Sequence, residues 1–358
     1  MTTQQTSDLI PITLLTGFLG SGKTTVLNHL ITQPELSDAL VIVNEFGEIG
    51  LDHLLVAHST EIPVAQMNSG CMCCTIRSDL VKTLRDITWR FSRQGERQFT
   101  RVIIETTGLA DPAPIINTIM TNQQIASKYK LDGIVTVVDM VNGADTLAKH
   151  DEAVKQIALA DVLLLTKADL VNDAERAAFE NQLDEINALA PRFTVKNGIV
   201  SPVKVINVEL GAAGENRFGV IDLSSEESDE PHHHEHHHHH DETHHQHHVH
   251  HHAHDGGINA YCFSGQTPIP EDILTEWLSV LKGFMGDKIL RVKGILNVEG
   301  HDRPVIVHGV QHILHPLSHL QTDVQNGGQS DLVFITQDVD KAAIKHAFRQ
   351  FPGVVPSP

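Results

Sequence analysis

A chain of 358 residues, 41% of them hydrophobic, is long enough for two domains and too apolar to be disordered throughout. No apolar run reaches the roughly 18–20 residues of a bilayer span, so no membrane partner is expected. Forty-five acidic residues against 26 basic ones leave a net charge of −19, which repels a phosphate backbone and argues against nucleic-acid binding.

The start, Met1 to Asp8, is polar and lacks the basic-then-apolar layout of a secretion signal. Strands are then expected at Ile12–Leu15, Leu40–Val43, Val102–Ile104, Ile134–Val138, Val162–Leu165 and Val203–Val208. These runs are rich in Val, Ile and Leu without polar alternation, as strands covered on both faces read. Helical periodicity lies between them, at Thr24–Leu30, Leu80–Phe91 and Ala174–Leu189. The βαβ rhythm predicts an α/β domain with a mostly parallel sheet over residues 1–223. Composition breaks over residues 224–257, an acidic, Ser-rich and then His-rich stretch that cannot bury a core and reads as a disordered, flexible linker. Residues 258–358 predict a small α+β domain. Its strands are expected at Ile258–Phe263, Ile289–Val298, Val305–Val310 and Leu332–Thr336, with helices at Pro270–Phe284 and Val339–Phe351.

Gly17-Phe18-Leu19-Gly20-Ser21-Gly22-Lys23-Thr24 matches the phosphate-loop pattern between a strand and a helix. Gly17, Gly20 and Gly22 let backbone N–H groups face phosphate oxygens, with Ser21 and Thr25 in the same cradle. Lys23 is expected to reach the β- and γ-phosphates and the Thr24 hydroxyl to meet Mg²⁺. After the strand at Val162 comes Thr166-Lys167-Ala168-Asp169, similar to the N-K-x-D signature of GTPases but with Thr in the first position. A carboxylate at Asp169 suits the N1–H and N2–H donors of guanine and leaves adenine unpaired, while Lys167 would lie along the base. Between these motifs Glu105 ends an apolar strand and is the candidate second Mg²⁺-side residue, with Gly108 placed to sense the γ-phosphate. Lys23, Thr24 and Glu105 are therefore the catalytic candidates. Leu109 stands where many GTPases carry a water-orienting Gln, so slow intrinsic hydrolysis is expected.

Four cysteines, three of them within Cys71–Cys74, make no disulfide framework and point to a reducing cytoplasm. Cys71, Cys73 and Cys74 follow Gly70 and can converge on one soft or borderline ion such as Zn²⁺, with Glu48 the first candidate for a further ligand. Cys262, alone in a strand pattern, reads as core.

The phosphate loop, the stretch from Asn44 to Glu48 with Gly50 and Asp52, Gly70-Cys71-Met72-Cys73-Cys74, Glu105 to Pro112 and Thr166 to Asp169 occur in one order. Together they closely resemble the CobW-type metal-homeostasis GTPases. Leu290 to Gly294 and Val307 to Gln311 resemble that family's second domain. The resemblance implies a GTPase that uses GTP and Mg²⁺, binds a transition metal and delivers it to client metalloproteins. Zinc is the expected metal and Co²⁺ the alternative; a cobalt-insertion factor for corrin synthesis and a metal store are the competing readings. A homodimer is left open, because related GTPases often pair.

The tract His232–His254 carries 16 imidazoles interspersed with acids. Largely neutral at cytosolic pH, they would hold several ions loosely, without geometric selection. His29, His53, His58 and His150 read as surface or cap residues. His308, His312, His315 and His319 approach helical spacing, but Pro316 interrupts it, which argues against a shared ligand face.

Overall fold

The computed structural model describes residues 9–43, 64–66, 74–208, 257–265, 267–285, 288–311, 313–314, 317–319, 329–339 and 355–356. The first part of the chain runs β1 (Ile10–Thr16), α1 (Lys23–Leu30), β2 (Ala39–Val43), β3 (Val64–Gln66) and α2 (Cys74–Arg90), then a small hairpin, β4 (Ser92–Arg93) with β5 (Glu96–Arg97). It continues through β6 (Arg101–Glu105), α3 (Ala113–Thr121), α4 (Gln123–Ala126), β7 (Tyr129–Asp139), α5 (Gly143–Lys149), α6 (Asp151–Ala158), β8 (Val162–Thr166), α7 (Asp173–Asn187) and β9 (Arg192–Val195). The sheet order is β3-β2-β6-β1-β7-β8-β9, and every neighbouring pair is parallel.

Strand periodicity sends successive side chains to opposite faces. Ile12 and Leu14 of β1 join Leu80, Leu84 and Ile87 of α2 and Ile116 and Ile119 of α3 in one core. Leu15, the next residue, lies in a second core on the other face with Val26, Leu27 and Leu30 of α1. A layer of helices on each face explains why these strands carry no polar alternation, and it confirms the expected α/β architecture.

The expected strand at Val203–Val208 is not one. Residues Pro202–Lys204 form a single 3₁₀ turn, and Asn207 takes a positive φ of 54°. Pro202 lacks the N–H that a ladder needs, and the left-handed residue bends the chain out of an extended path. Val205 and Val208 are buried against the sheet instead of pairing within it. The edge strand is β9, whose half-buried Arg-Phe-Thr-Val sequence hid it from a search for apolar runs.

The second part of the chain holds β10 (Ile258–Gly265), α8 (Glu271–Met285), β11 (Ile289–Leu296), β12 (Val305–Val310), β13 (Ile313–Leu314), β14 (Ser318–His319), β15 (Ser330–Gln337) and β16 (Val355–Pro356). Its sheet order is β13-β12-β11-β15-β10-β16, antiparallel throughout, with β14 also on β12. Helix α8 lays Leu274, Trp277 and Leu278 on this sheet, where Trp277 and Phe263 meet Phe334 edge-to-face at 5.6 and 5.9 Å. This is the expected small α+β unit. The predicted helix Val339–Phe351 lies outside the described residues beyond its first position, as do the His-rich tract and the side chain of Cys262.

Leu290, Val310 and Ile335 of the second sheet belong to the same core as Ala158, Leu159 and Ile116 of the first unit. Beside that apolar seam, Asp161 is buried against Arg291, whose guanidinium donates to its carboxylate and to the Leu159 carbonyl. Lys293 Nζ lies 3.5 Å from the same carboxylate and His308 Nε2 lies 3.3 Å from Arg291.

Candidate nucleotide site

The site forms where β1, β6, β7 and β8 end, at the carboxyl edge of the parallel sheet, which is where α/β sheets bind ligands. In register, Leu15 stands beside Glu105 and Glu105 beside Val43, so the ends of three neighbouring strands are level.

The phosphate loop leaves β1 at Thr16. Gly17 has φ +141°, and a Cβ there would lie 2.3 Å from the Val137 carbonyl oxygen, so only glycine lets the loop cross β7 this closely. Gly20 and Gly22 also have positive φ, and helix α1 starts directly after Gly22 with no side-chain cap on its first turn. Uncapped N–H groups at a helix start are donors in need of an acceptor. Lys23 is buried and its ammonium donates to the carbonyls of Gly17 and Phe18 at 2.8 and 3.0 Å. Thr24 Oγ1 donates to Glu105 Oε1 at 2.9 Å, bringing together the two residues that the sequence assigned to Mg²⁺ across 81 residues of chain. Thr25 is exposed on the same turn.

Gly108 approaches the phosphate loop from the other side. A Cβ added there would meet the backbone N and Cα of Leu19 at 2.6 and 2.7 Å. Its carbonyl accepts from Gln156 Nε2 at 3.2 Å, as does that of Ala110 at 2.9 Å, which ties this turn to α6. The Ser21 and Thr107 hydroxyls are buried without a hydrogen-bond partner. Two unsatisfied hydroxyls, an uncapped helix start and a buried ammonium form a donor set that fits a polyphosphate with its divalent cation.

The Thr166–Asp169 motif continues from β8. Thr166 Oγ1 is buried and donates to the Ser21 carbonyl at 2.7 Å, with the Val138 carbonyl at 3.1 Å, so it braces the phosphate loop. Lys167 takes a left-handed φ of 57° and its ammonium donates to the Gly20 carbonyl at 3.0 Å and to Asp139 Oδ2 at 2.6 Å. Asp169 is exposed in the following 3₁₀ turn. Asp139 was not singled out in the sequence, although an acid closing a buried strand is the same signal that marked Glu105. Burial alone would raise its carboxyl. Hydrogen bonds from Lys167, the Asn142 side chain and the Val141 and Asn142 N–H groups outweigh that and hold it below the usual carboxylate range.

Glu48, Cys71 and Cys73 lie outside the described residues, and Cys74 is the first residue of α2, its side chain likewise outside. What is described is how their segments are anchored. The chain leaves β2 at Val43 toward Glu48 and leaves β3 at Gln66 toward the cysteines, and Val43 pairs with both Gln66 and Glu105.

The CobW/HypB/UreG nucleotide-binding domain model matches residues 11–194, and the model of the cobalamin synthesis protein CobW carboxy-terminal domain matches residues 258–351. The chain belongs to the CobW/HypB/UreG family. Among its relatives, the zinc chaperone YjiA of Escherichia coli is 32% identical over 305 residues, covering 85% of this chain and 87% of that protein. The zinc-regulated GTPase metalloprotein activator 1 of Schizosaccharomyces pombe is 33% identical over 230 residues, covering 62% and 54%. The crystal structure of Zn(II)-bound YjiA GTPase from E. coli superposes with a TM-score of 0.65 at 26% identity, over 96% of this chain and 99% of that one. The likeness to YjiA thus extends over both units. Among the described residues no helix is long and apolar enough to cross a membrane.

Proposed function

We propose that this protein is a GTP-hydrolysing metallochaperone that carries zinc on Cys71, Cys73 and Cys74, with Glu48 as a further ligand, and delivers it to a client metalloprotein. Its enzyme class is the family's, a GTPase. The observation that carries the reading is the shared sheet edge: the strand leading to Glu48 and the strand leading to the cysteines are hydrogen-bonded in series with the strand that ends at Glu105. A change at the γ-phosphate is therefore two strands or fewer from the roots of both metal-bearing segments.

Gly17, Gly20, Ser21, Gly22, Lys23 and Thr25 bind the phosphates, and Asp169 selects guanine with Lys167 along the base. Thr24 and Glu105 are the residues that would hold Mg²⁺, whose chemistry there is to neutralise charge on the phosphate oxygens. Lys23 exchanges the Gly17 and Phe18 carbonyls for phosphate oxygens. Leu109 is 54% exposed and offers no group to orient water, so hydrolysis by the isolated chain is slow. Leu19, 58% exposed beside the loop, adds apolar surface for a client or a second copy. Hydrolysis releases the turn at Gly108, shifts the strand ends and weakens the cysteine site.

The test is a competitive Zn²⁺ titration of a variant lacking residues 232–254, with Mg²⁺-GDP and then with a non-hydrolysable GTP analogue. One equivalent bound markedly tighter with the analogue supports release on hydrolysis. Equal affinities in the two states mean that the nucleotide cannot drive transfer, and a metal store becomes the better reading. Repeating the titration with Co²⁺ ranks the two metals.

A further inference from the structure

At the far end of the second sheet, away from the seam with the first unit, two imidazoles face each other. His301 lies in the turn between β11 and β12, where Gly300 takes φ +80° and the His301 N–H returns to the Val298 carbonyl. His319 is on β14, and the β12–β14 ladder pairs it with Val305, the first residue after that turn. Nδ1 of His301 is 2.7 Å from Nε2 of His319, with the rings stacked 27° apart and their centroids 5.0 Å apart. On the opposite side of the ring, His301 Nε2 is 3.5 Å from Glu271 Oε2, in the first turn of α8.

We infer that His301 Nδ1 and His319 Nε2 form a second transition-metal site, of the zinc class, remote from the nucleotide. Two nitrogens bound to one tetrahedral zinc at 2.0–2.1 Å stand roughly 3.3 Å apart, so the pair needs to open by only about half an ångström. His319 is exposed, and a small rotation of its ring supplies that opening. Glu271, 3.5 Å from Nε2, is near enough to serve as the outer carboxylate of a carboxylate–histidine–metal arrangement: a small rotation of its exposed side chain would let it accept Nε2–H from His301, which leaves the Nδ1 lone pair facing His319. The hydrogen in the gap then belongs to His319, and metal binding moves it to that ring's Nδ1 through solvent, with no net proton released.

Among the described residues no three His, Cys, Asp or Glu side chains converge on one metal position, so these residues supply two ligands and leave open positions for water or a further ligand. Such a site exchanges its ion readily, unlike a closed four-ligand structural site. Imidazole donors favour zinc, copper, nickel and cobalt over magnesium and calcium. Neither the cysteines nor the nucleotide is part of the site, so the inference stands independently of the proposed function. In the sequence His319 shares its near-helical spacing with His308, His312 and His315, and His301 lies outside that pattern. The partner of His319 is brought to it by the β12–β14 ladder and not by helical spacing.

The test uses the full-length protein in buffered zinc, with diethyl pyrocarbonate modification of each histidine read by peptide mass spectrometry. Zinc is expected to protect His301 and His319 together, at a common half-saturating concentration that Cys71→Ala/Cys73→Ala does not move. His319→Ala is expected to abolish protection at His301, and Glu271→Gln to raise the half-saturating concentration roughly tenfold or more. Unchanged labelling of both rings at saturating zinc would reduce the pair to a hydrogen bond and overturn the inference. Protection of His301 that survives His319→Ala would overturn it equally. Circular dichroism of each variant separates a lost ligand from a lost fold.

Discussion

Thr166 decides more at the nucleotide site than its place in a degenerate base-reading motif suggests. Its hydroxyl braces the Ser21 carbonyl from inside the sheet. Thr166→Val keeps the shape and removes the donor, leaving a buried carbonyl unpaired at a cost of about 1–3 kcal/mol. GTP affinity is expected to fall by roughly an order of magnitude while the fold, followed by circular dichroism, persists; affinity within twofold of the parent would mean that the brace is incidental. Gly108→Ala acts from the other wall, forcing a methyl to within 2.7 Å of Leu19 backbone atoms. Overpacking of this kind costs about 1–3 kcal/mol, and moving the turn should lower kcat for GTP more than it raises KM. At this scale Lys23 and Thr24 were legible because a phosphate loop is contiguous in sequence, and Glu105 because an acid closes an apolar strand shortly before a glycine. The bracing role of Thr166 and the Asp139–Lys167 pair were not, because each joins positions 28 or more residues apart.

At the scale of elements, apolar runs identified the buried strands and missed exposed ones such as β9 and the β4–β5 hairpin. β9 is an edge strand, paired with β8 on one side only, and its Arg192 and Thr194 side chains face outward to Asp184 and Arg176 of α7. Val205 and Val208 are as apolar as any strand residue, but their burial comes from lying across the sheet, which a period-two search cannot distinguish from lying within it. Helix α7 was expected from its periodicity, and its start carries a further device. Asn172 Oδ1 accepts from the Glu175 N–H at 2.9 Å while Glu175 Oε2 accepts from the Asn172 N–H at 3.0 Å, a reciprocal cap. Asn172→Ala should cost about 1 kcal/mol, read as a fall of a few degrees in Tm with GTP binding unchanged. A loss of guanine selectivity instead would show that α7 positions Asp169, three residues upstream of the cap.

Across the whole molecule, the two units meet, among the described residues, through apolar packing and a buried ion cluster, and it is the cluster that makes the junction specific. Arg291 reaches across to Leu159 and Asp161, which directly follow α6, the helix whose Gln156 holds Gly108 and Ala110. The second unit therefore grips the same short stretch of chain that steadies the turn facing the phosphate loop. Nothing in the sequence announced this, since Asp161 and Arg291 are 130 residues apart and each looks like an ordinary surface charge. Burial alone would raise the Asp161 carboxyl; the charges of Arg291, Lys293 and His308 and the N–H of Ile134 outweigh it and hold it far below the ordinary carboxylate value. A carboxyl whose folded-state pKa is depressed contributes stability that is complete above its unfolded pKa of about 3.9 and is lost as pH falls through the folded value. Asp161→Asn leaves Arg291 buried without its counter-ion and should destabilise the protein by about 3–5 kcal/mol at neutral pH in urea unfolding. That difference from the parent should hold steady down to about pH 5 and shrink below about pH 4, where the parent begins to lose the same contribution. Asp161→Leu combined with Arg291→Met should recover only part of the loss: it removes both buried charges, but it also takes a hydrogen bond from the buried Ile134 N–H and from the Leu159 carbonyl and a counter-ion from Lys293. If the double variant is folded by circular dichroism yet hydrolyses GTP at an altered rate, the ion cluster transmits between the units; if its rate is unchanged, the cluster serves only to hold them together.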